Sequence, residues 1–259
     1  MVRAMVETIT HDSEQLIEER KKRLLIVVDG DASRLYTTGI LLQRLGYNIY
    51  TTKMAEDALE IMSITLPSLV LTDVTLAAMS GLELMNRMKQ NADTQTVPVI
   101  CYTSSLDPSV KETCLRHGGA AFLTKPAEPD VLFATIQKAA EVTPRRYIRL
   151  SVCLSVIVDN EAAADGSPID CLTALSENGM YVSTLNPRMA GNEMPFSIFL
   201  QKYVIRVVGT VLHSYKSGEG PLRTPGMAIK FTQIKPEDQA MIRSFINRQL
   251  MQDLTGGME

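Results

Sequence analysis

The sequence predicts two domains in series: a doubly wound α/β fold with a five-stranded parallel sheet, then an antiparallel β-barrel with a C-terminal helix. Residues 23–141 alternate apolar runs with stretches of helical spacing, the pattern of a parallel sheet covered by helices on both faces. Residues 142–259 contain short strand-like runs separated by turn-rich segments, which is typical of a barrel or sandwich. A chain of 259 residues is long enough for two ordinary domains.

Five apolar runs predict the strands of the first domain. They are Leu24–Val28, Asn48–Thr51, Leu69–Thr72, Val97–Tyr102 and Ala120–Leu123. The intervening segments place apolar residues at helical spacing, for example Ala55, Leu59 and Met62. Five such units form a doubly wound sheet, which binds its ligand at the carboxyl ends of the strands.

The spacing of apolar residues changes in the second half of the chain. Its predicted strands are residues 150–158, 167–175, 180–184, 196–200, 203–215 and 226–231. A helix is predicted to begin at Pro236, because an acidic first turn follows and an apolar stripe comes after it. The stripe consists of Met241, Ile242, Phe245 and Ile246. Residues 1–22 are charged and predict a helical N-terminal extension.

Composition restricts the functional classes. The net charge is −3, so no overall attraction to nucleic acid or to an anionic membrane is expected. Neither a signal peptide nor an apolar stretch of membrane-spanning length is visible. The cysteines form no CxxC pair and lie mostly in apolar runs, which favours reduced core thiols in a cytoplasmic protein. They are Cys101, Cys114, Cys153 and Cys171.

Polar side chains follow four of the predicted parallel strands. Asp29 and Asp31 follow the first strand, Asp73 the third, Thr103 the fourth and Lys125 the fifth. A doubly wound sheet presents these positions to one crevice. Carboxylates are ligands for Mg²⁺, while a hydroxyl and a lysine can hydrogen-bond phosphoryl oxygens. The pattern therefore predicts a site for phosphoryl chemistry.

The segments LVLTDVTLAAMSGLELM, VICYTSS and FLTKPAEPD resemble the receiver domain of two-component response regulators, which has a flavodoxin-like fold. The resemblance covers residues 23–141. It implies that Asp73 accepts a phosphoryl group from a sensor histidine kinase and that Thr103 and Lys125 bind the acyl phosphate. It also implies that the Thr75 carbonyl helps to hold Mg²⁺, and that Phe122 is the aromatic residue that rearranges on activation.

One metal ligand of that family is replaced here. The family carries two consecutive acids after the first strand, whereas this chain has Asp29 followed by Gly30. Asp31 comes one residue later, and the flexible glycine could let its carboxylate reach the ion. The expected metal ligands are thus Asp29, Asp31, Asp73 and Thr75, with weakened Mg²⁺ binding.

The start of the second domain carries a second resemblance. PRRYIRLSV contains Arg145, Arg146 and Arg149, and ALSENGMYV contains Ser176 and Gly179 in a predicted turn between strands. Arginine suits phosphate oxygens and the acceptor edge of guanine. RxxxR followed by LSxxG resembles the PilZ domain, a small β-barrel, over residues 143–250. The resemblance implies binding of the second messenger cyclic di-GMP through these five residues.

An acid is absent here as well. The PilZ family has Asp or Asn two residues before the serine, where this chain has Ala174. A missing hydrogen bond to a charged partner costs about 1.5–3 kcal/mol. We therefore expect weakened cyclic di-GMP binding.

The sequence predicts a cytoplasmic, non-enzymatic response regulator that acts through protein contact. Its domains are an extension (1–22), a receiver (23–141) and a PilZ-like barrel (142–259). An adaptor that uses neither site is one alternative. A DNA-binding regulator is another, although residues 142–259 are nearly neutral and show no helix-turn-helix pattern. An enzyme that makes or degrades cyclic di-GMP would need an acid-rich site that the second half lacks. The kinase, the downstream protein and the oligomeric state, with a homodimer as one option, are left open.

Overall fold

The chain forms two compact units that divide between Arg146 and Tyr147. The structure is a computed structural model that describes residues 23–161, 170–219, 225–252 and 254. The predicted N-terminal extension lies outside the described residues.

The first unit is a five-stranded sheet with the strand order β2-β1-β3-β4-β5. The strands are β1 (Leu24–Val28), β2 (Asn48–Thr52), β3 (Leu69–Thr72), β4 (Val99–Thr103) and β5 (Ala121–Thr124). Every neighbouring pair is parallel. The helices are α1 (Ala32–Arg44), α2 (Ala55–Ile64), α3 (Gly81–Gln90), α4 (Pro108–Arg116) and α5 (Pro129–Ala140). The predicted doubly wound fold is confirmed.

The central strands β1, β3 and β4 are almost completely buried. Their apolar side chains pack under helices on both faces, as their unbroken hydrophobic runs require. Three helices begin at residues whose side-chain oxygens accept a backbone N–H of the first turn, namely Asp31, Ser80 and Asp107. These caps satisfy amide groups that have no partner within the helix. They fix where each helix leaves the carboxyl edge of the sheet.

The second unit contains a closed antiparallel barrel with the strand order β10-β11-β8-β7-β6-β9. The strands are β6 (Leu150–Val158), β7 (Asp170–Ser176), β8 (Gly179–Ser183), β9 (Glu193–Leu200), β10 (Tyr203–Tyr215) and β11 (Gly226–Gln233). The chain continues into α6 (Pro236–Met251). The predicted barrel and closing helix are confirmed.

Several strand ends differ by one or two residues from the sequence prediction, and two differences are larger. The strand predicted to begin at residue 196 begins at Glu193, because the antiparallel pairing with β10 continues through Pro195 to that residue. In the predicted stripe of α6, Ile242, Phe245 and Ile246 are buried, whereas Met241 is only partly covered. The first residues of the strand predicted at 167–175 lie outside the described residues.

The cysteines do not share one environment. Cys101 and Cys114 are completely buried, as predicted for core thiols. Cys153 is exposed and Cys171 is only partly buried. The prediction of core thiols is wrong for Cys153, because alternate residues of β6 face outward from the barrel. Within the described ranges, no helix combines the length and the apolarity needed to cross a membrane.

Candidate functional site

The ends of four parallel strands bring together Asp29, Asp73, Thr103 and Lys125. Asp29 follows β1, Asp73 follows β3, Thr103 ends β4 and Lys125 follows β5. These strands are neighbours in the order β1-β3-β4-β5, so their carboxyl ends meet at one edge. We refer to these four residues as the acid pocket.

The Asp73 carboxylate is buried and accepts three hydrogen bonds. Its Oδ1 accepts the Thr103 hydroxyl at 2.8 Å and the Thr75 backbone N–H at 3.0 Å. Its Oδ2 accepts the Lys125 ammonium at 2.5 Å. Asp73 is only 5% exposed, so these bonds replace the water that an ionised carboxylate needs.

Two opposing effects set the pKa of Asp73. Burial alone would raise the pKa, because it disfavours the charged carboxylate. The hydrogen bonds from Lys125, Thr75 and Thr103 lower it, and the net pKa lies below the usual aspartate value. Asp73 is therefore a carboxylate at neutral pH, the form that can act as a nucleophile.

Lys125 lies between the two buried acids. Its Nζ is 2.6 Å from Asp29 Oδ2 and 2.5 Å from Asp73 Oδ2. The ammonium also lies 5.3 Å from the centre of the Tyr102 ring, within the range of a cation–π contact. The Lys125 ammonium is thus held between the carboxylates of Asp29 and Asp73.

Asp31 caps a helix in the structure, and its role as a metal ligand stays a prediction. Its Oδ1 accepts the Arg34 backbone N–H at 2.9 Å, so Asp31 is the N-cap of α1. That hydrogen bond lowers the pKa of Asp31. Two carboxylates rather than three belong to the acid pocket, and no cluster of three acidic, histidine or cysteine side chains occurs among the described residues.

The acid pocket contains part of the ligand set of the magnesium ion that the sequence predicts. Mg²⁺ in proteins is usually held by one or two carboxylates together with water and phosphate oxygens. Asp29 and Asp73 supply two carboxylates, whereas Lys125 and the nearby Arg34 bring positive charge. The donor set fits a Mg²⁺ ion with few protein ligands. The carbonyl of Thr75 stays a predicted ligand, since the contact to the pocket is made by its amide.

Arg34 is a residue that the sequence interpretation missed. Its Nε lies 3.5 Å from Asp29 Oδ2 and its Nη1 lies 3.6 Å from Asp31 Oδ2, and its side chain is half-exposed. Its position three residues after an N-cap was the available signal, because side chains at that spacing share a helix face. Arg34 places a second cation at the rim of the pocket.

Two glycines near the pocket have different surroundings. A Cβ on Gly30 would meet nothing within 4 Å, so position 30 has room for a side chain. A Cβ on Gly81 would lie 2.0 Å from the Asp73 carbonyl oxygen. Gly81 therefore allows α3 to begin directly against the Asp73 backbone.

The predicted turn in the second unit joins β7 to β8. The Ser176 hydroxyl donates to the Gly179 carbonyl at 3.0 Å. A Cβ on Gly179 would lie 2.3 Å from the carbonyl oxygen of Ile229 on β11. Packing within the barrel accounts for both residues.

The same turn is fixed to the C-terminal helix. The guanidinium of Arg243 on α6 donates to both carboxylate oxygens of Glu177, at 2.9 and 2.8 Å. Gln239 also donates to the Asn178 side chain at 2.8 Å. Glu177 is only 6% exposed, so the paired guanidinium supplies the hydrogen bonds that a buried carboxylate needs.

The predicted arginines lie around the start of β6. Exposed Arg149 directly precedes Leu150, whose partner across the ladder is Leu175, the residue before Ser176. Arg149 is thus brought next to the turn. Arg145 and Arg146 belong to the first unit, where the Arg145 backbone N–H donates to the Gln137 side chain at 2.9 Å.

Comparison with known proteins identifies the first unit. Residues 25–137 match the family model described as the response regulator receiver domain. The two-component response regulator ORR3 of rice (Oryza sativa) is 29% identical over 118 residues, which cover 45% of this chain and 89% of that protein. Protein PilH of Pseudomonas aeruginosa is 24% identical over 112 residues, which cover 43% of this chain and 93% of that protein.

A third relative is much longer. The sensory/regulatory protein RpfC of Xanthomonas campestris is 27% identical over 158 residues, 60% of this chain and 22% of that protein. The chain therefore corresponds to about a fifth of RpfC. Among solved structures, a response regulator from Chloroflexus aurantiacus is 28% identical, with a TM-score of 0.44 that covers 46% of this chain and 97% of the other.

The first unit is a response regulator receiver domain, a regulatory domain of two-component signalling. One similar solved structure, the receiver domain of the sensor histidine kinase PA1611 of Pseudomonas aeruginosa, has a magnesium ion coordinated in its active-site cleft. The barrel follows this domain in the chain.

Proposed function

We propose that the protein is a response regulator in which phosphorylation of Asp73 controls a barrel output domain, and that the barrel binds cyclic di-GMP weakly. The observation that carries the first part is the buried, ionised Asp73 carboxylate held between Lys125 and Thr103. Such a group is not explained by folding stability, because burying charges costs free energy.

The acid pocket supports phosphoryl transfer as follows. A carboxylate oxygen of Asp73 attacks the donor's phosphorus, a P–O bond forms, and the bond to the donor's leaving group breaks. Lys125 and the Thr103 hydroxyl then change partners from the carboxylate to the phosphoryl oxygens, where new negative charge collects. A bound Mg²⁺ would neutralise the charge on those oxygens. Asp29 stays paired with Lys125 and holds the ammonium in place.

Labelling with acetyl phosphate and Mg²⁺ tests this proposal. Intact mass spectrometry of the full chain should show one added phosphoryl group in the wild type and none in Asp73→Asn. Asp93→Asn is the matched control, because Asp93 is an exposed aspartate outside the pocket, and it should label like the wild type. Equal labelling of Asp73→Asn would contradict the assignment.

Position 30 tests the metal part of the proposal separately. A side chain there meets no obstacle, so Gly30→Asp should add the missing carboxylate without disturbing the fold. Calorimetric titration with Mg²⁺ should show tighter binding by Gly30→Asp than by the wild type, and faster labelling should accompany it. If the variant labels and the wild type does not, the acid pocket is inactive as encoded.

The output part of the proposal depends on the start of the barrel. A closed barrel with a C-terminal helix follows the receiver. The ladder pairs Leu150, which follows Arg149, with Leu175, which precedes Ser176. An exposed arginine beside a turn suits a phosphate or a guanine edge. Ala174, within this ladder, supplies no acceptor.

Calorimetry with cyclic di-GMP on the full chain tests the output. Ala174→Asp should bind about ten- to a hundred-fold more tightly than the wild type, since it restores a charge-assisted hydrogen bond. Arg149→Ala should lose binding, while the control Lys202→Ala, an exposed cation in the β9–β10 turn, should not. Absence of heat in both the wild type and Ala174→Asp would favour the adaptor reading.

A further inference from the structure

We propose that Cys153 and Cys171 form a reversible disulfide on contact with a peroxide, which makes the pair an oxidative modification site on the barrel. This inference rests on the barrel alone and is independent of phosphorylation and of cyclic di-GMP.

The geometry of two neighbouring strands places the thiols side by side. Cys153 lies on β6 and Cys171 on β7, and their sulfur atoms are 3.1 Å apart. A disulfide bond is about 2.05 Å long, so the sulfurs need to approach by only about 1 Å. Two thiols on paired strands of one barrel keep this proximity without any large movement.

The register of β6 and β7 pairs Cys171 with Ser155, two residues from Cys153, and a bulge in β6 lies beside this pair. The ladder pairs Ser151 with Ala174 and Leu154 with Leu172, so β6 contains one residue more than β7 between these pairs. An extra residue increases the local twist and redirects side chains. Cys153 belongs to this bulged stretch and reaches diagonally across to Cys171.

The two thiols are not equivalent. Cys153 is exposed, whereas Cys171 is partly buried. The hydrogen bond with the Cys153 sulfur raises the pKa of the Cys171 thiol, which favours its protonated form. Cys153 is thus the thiol that a peroxide in solution meets first.

The reaction balances with hydrogen peroxide as the oxidant. The Cys153 thiolate attacks one peroxide oxygen, the O–O bond breaks, and a sulfenic acid forms with release of hydroxide, which takes up the thiol proton to become water. The Cys171 sulfur then attacks the Cys153 sulfur, the S–O bond breaks, and a second water leaves. Two thiols and one hydrogen peroxide give one disulfide and two waters, and a dithiol reductant reverses the change.

The other two cysteines provide an internal control. Cys101 and Cys114 are both 0% exposed in the first unit, and the burial of Cys101 raises the pKa of its thiol. Buried thiols in apolar surroundings are unreactive. Selective oxidation of the barrel pair should therefore be visible against two unreacted thiols in the same molecule.

The proposed bond would join β6 to β7 at the end of β7 that is far from the β7–β8 turn. Cys171 is the second residue of β7, where it pairs with Ser155. A cross-link also restricts the unfolded chain and so stabilises the fold. The oxidised protein should unfold at a higher temperature than the reduced protein.

The test is thiol counting on the full-length protein. The reduced wild type, denatured and alkylated, should carry four alkyl groups, one on each of its cysteines. After hydrogen peroxide it should carry two, both on Cys101 and Cys114, with a cross-linked peptide joining Cys153 to Cys171. Dithiothreitol should restore all four.

Single variants separate the steps. Cys171→Ser should accumulate a Cys153 sulfenic acid that dimedone traps, because the resolving thiol is absent. Cys153→Ser should leave Cys171 largely unmodified and should lose the oxidation-dependent rise in unfolding temperature. Four alkyl groups after peroxide, a disulfide between two chains, or equal dimedone labelling in both variants would each overturn the proposal.

Discussion

The acid pocket and the β7–β8 turn both contain residues that the sequence predicts for a site, but the contacts of those residues differ in kind. In the pocket, Asp29 and Asp73 are buried around Lys125 at the edge of a sheet whose stability needs no charge there. In the turn, the Ser176 hydroxyl donates to the Gly179 carbonyl, and Gly179 packs against the Ile229 carbonyl on β11. The buried charges of the acid pocket cost the fold free energy and so indicate a chemical role. The packing of Gly179, in contrast, is explained by the fold itself.

The glycines show the same contrast. A Cβ at position 30 would meet no atom within 4 Å, so the fold does not require glycine at this position. Gly179 is held against the Ile229 carbonyl, so the turn depends on glycine with or without a ligand. A glycine in a motif therefore indicates a function only where packing does not already require it.

The largest expected effect follows the removal of the pocket cation. Lys125→Met leaves two buried carboxylates without their shared partner, and the free energy of unfolding should fall by about 3–5 kcal/mol. Urea denaturation measures this loss. Adding Asp73→Asn to Lys125→Met should recover part of it, because one uncompensated charge disappears. Unchanged urea midpoints would show that the pocket is less buried than described.

The next effect compares the two glycines. Gly179→Ala forces backbone to move and should cost about 1–3 kcal/mol. Gly30→Ala should instead stabilise the protein by about 0.4–1 kcal/mol, because it restricts the unfolded chain at a position with open space. Relative to the wild type, the unfolding temperature and the urea midpoint should fall for Gly179→Ala and rise for Gly30→Ala. Changes of the same sign in both variants would contradict this difference between the two glycines.

A smaller effect is expected from the pair that fixes the turn to α6. Arg243→Ala leaves the buried Glu177 carboxylate without its guanidinium and should cost about 1–2 kcal/mol, reduced by the exposure of Arg243. Arg87→Ala is the matched control, because its pair with Glu83 is exposed on one helix, and it should cost less than about 0.5 kcal/mol. Equal urea midpoints for the two variants would show that the Arg243–Glu177 pair stabilises the protein no more than an exposed pair does.

The smallest effect concerns pH. The pKa of Asp73 is lower in the folded protein than in the unfolded chain, so its stabilising contribution is complete above the unfolded pKa of about 3.9 and decreases as the pH falls through the folded pKa. The difference in unfolding free energy between the wild type and Asp73→Asn should be constant near neutral pH and decline in acid. A difference that grows on acidification would contradict the lowered pKa.

The sequence by itself determined the two fold classes and the four residues of the acid pocket, although it also placed Asp31 among them. Period-two and helical patterns report which faces are buried, and this is enough to identify parallel strands, a barrel and a final helix. Asp29, Asp73, Thr103 and Lys125 could be grouped because residues that follow parallel strands meet at one edge. Short-range spacing could also have identified Asp31 as a helix cap.

The tertiary structure alone decided the contacts between residues that are far apart in the chain. Lys125 bridges acids that precede it by 96 and 52 positions, and Arg243 meets Glu177 across 66 positions. The proximity of Cys153 and Cys171 depends on the register of β6 against β7. Patterns of burial fix which face a side chain occupies, but strand register, bulges and helix placement fix which atoms meet, because hydrogen bonds act over only a few ångströms.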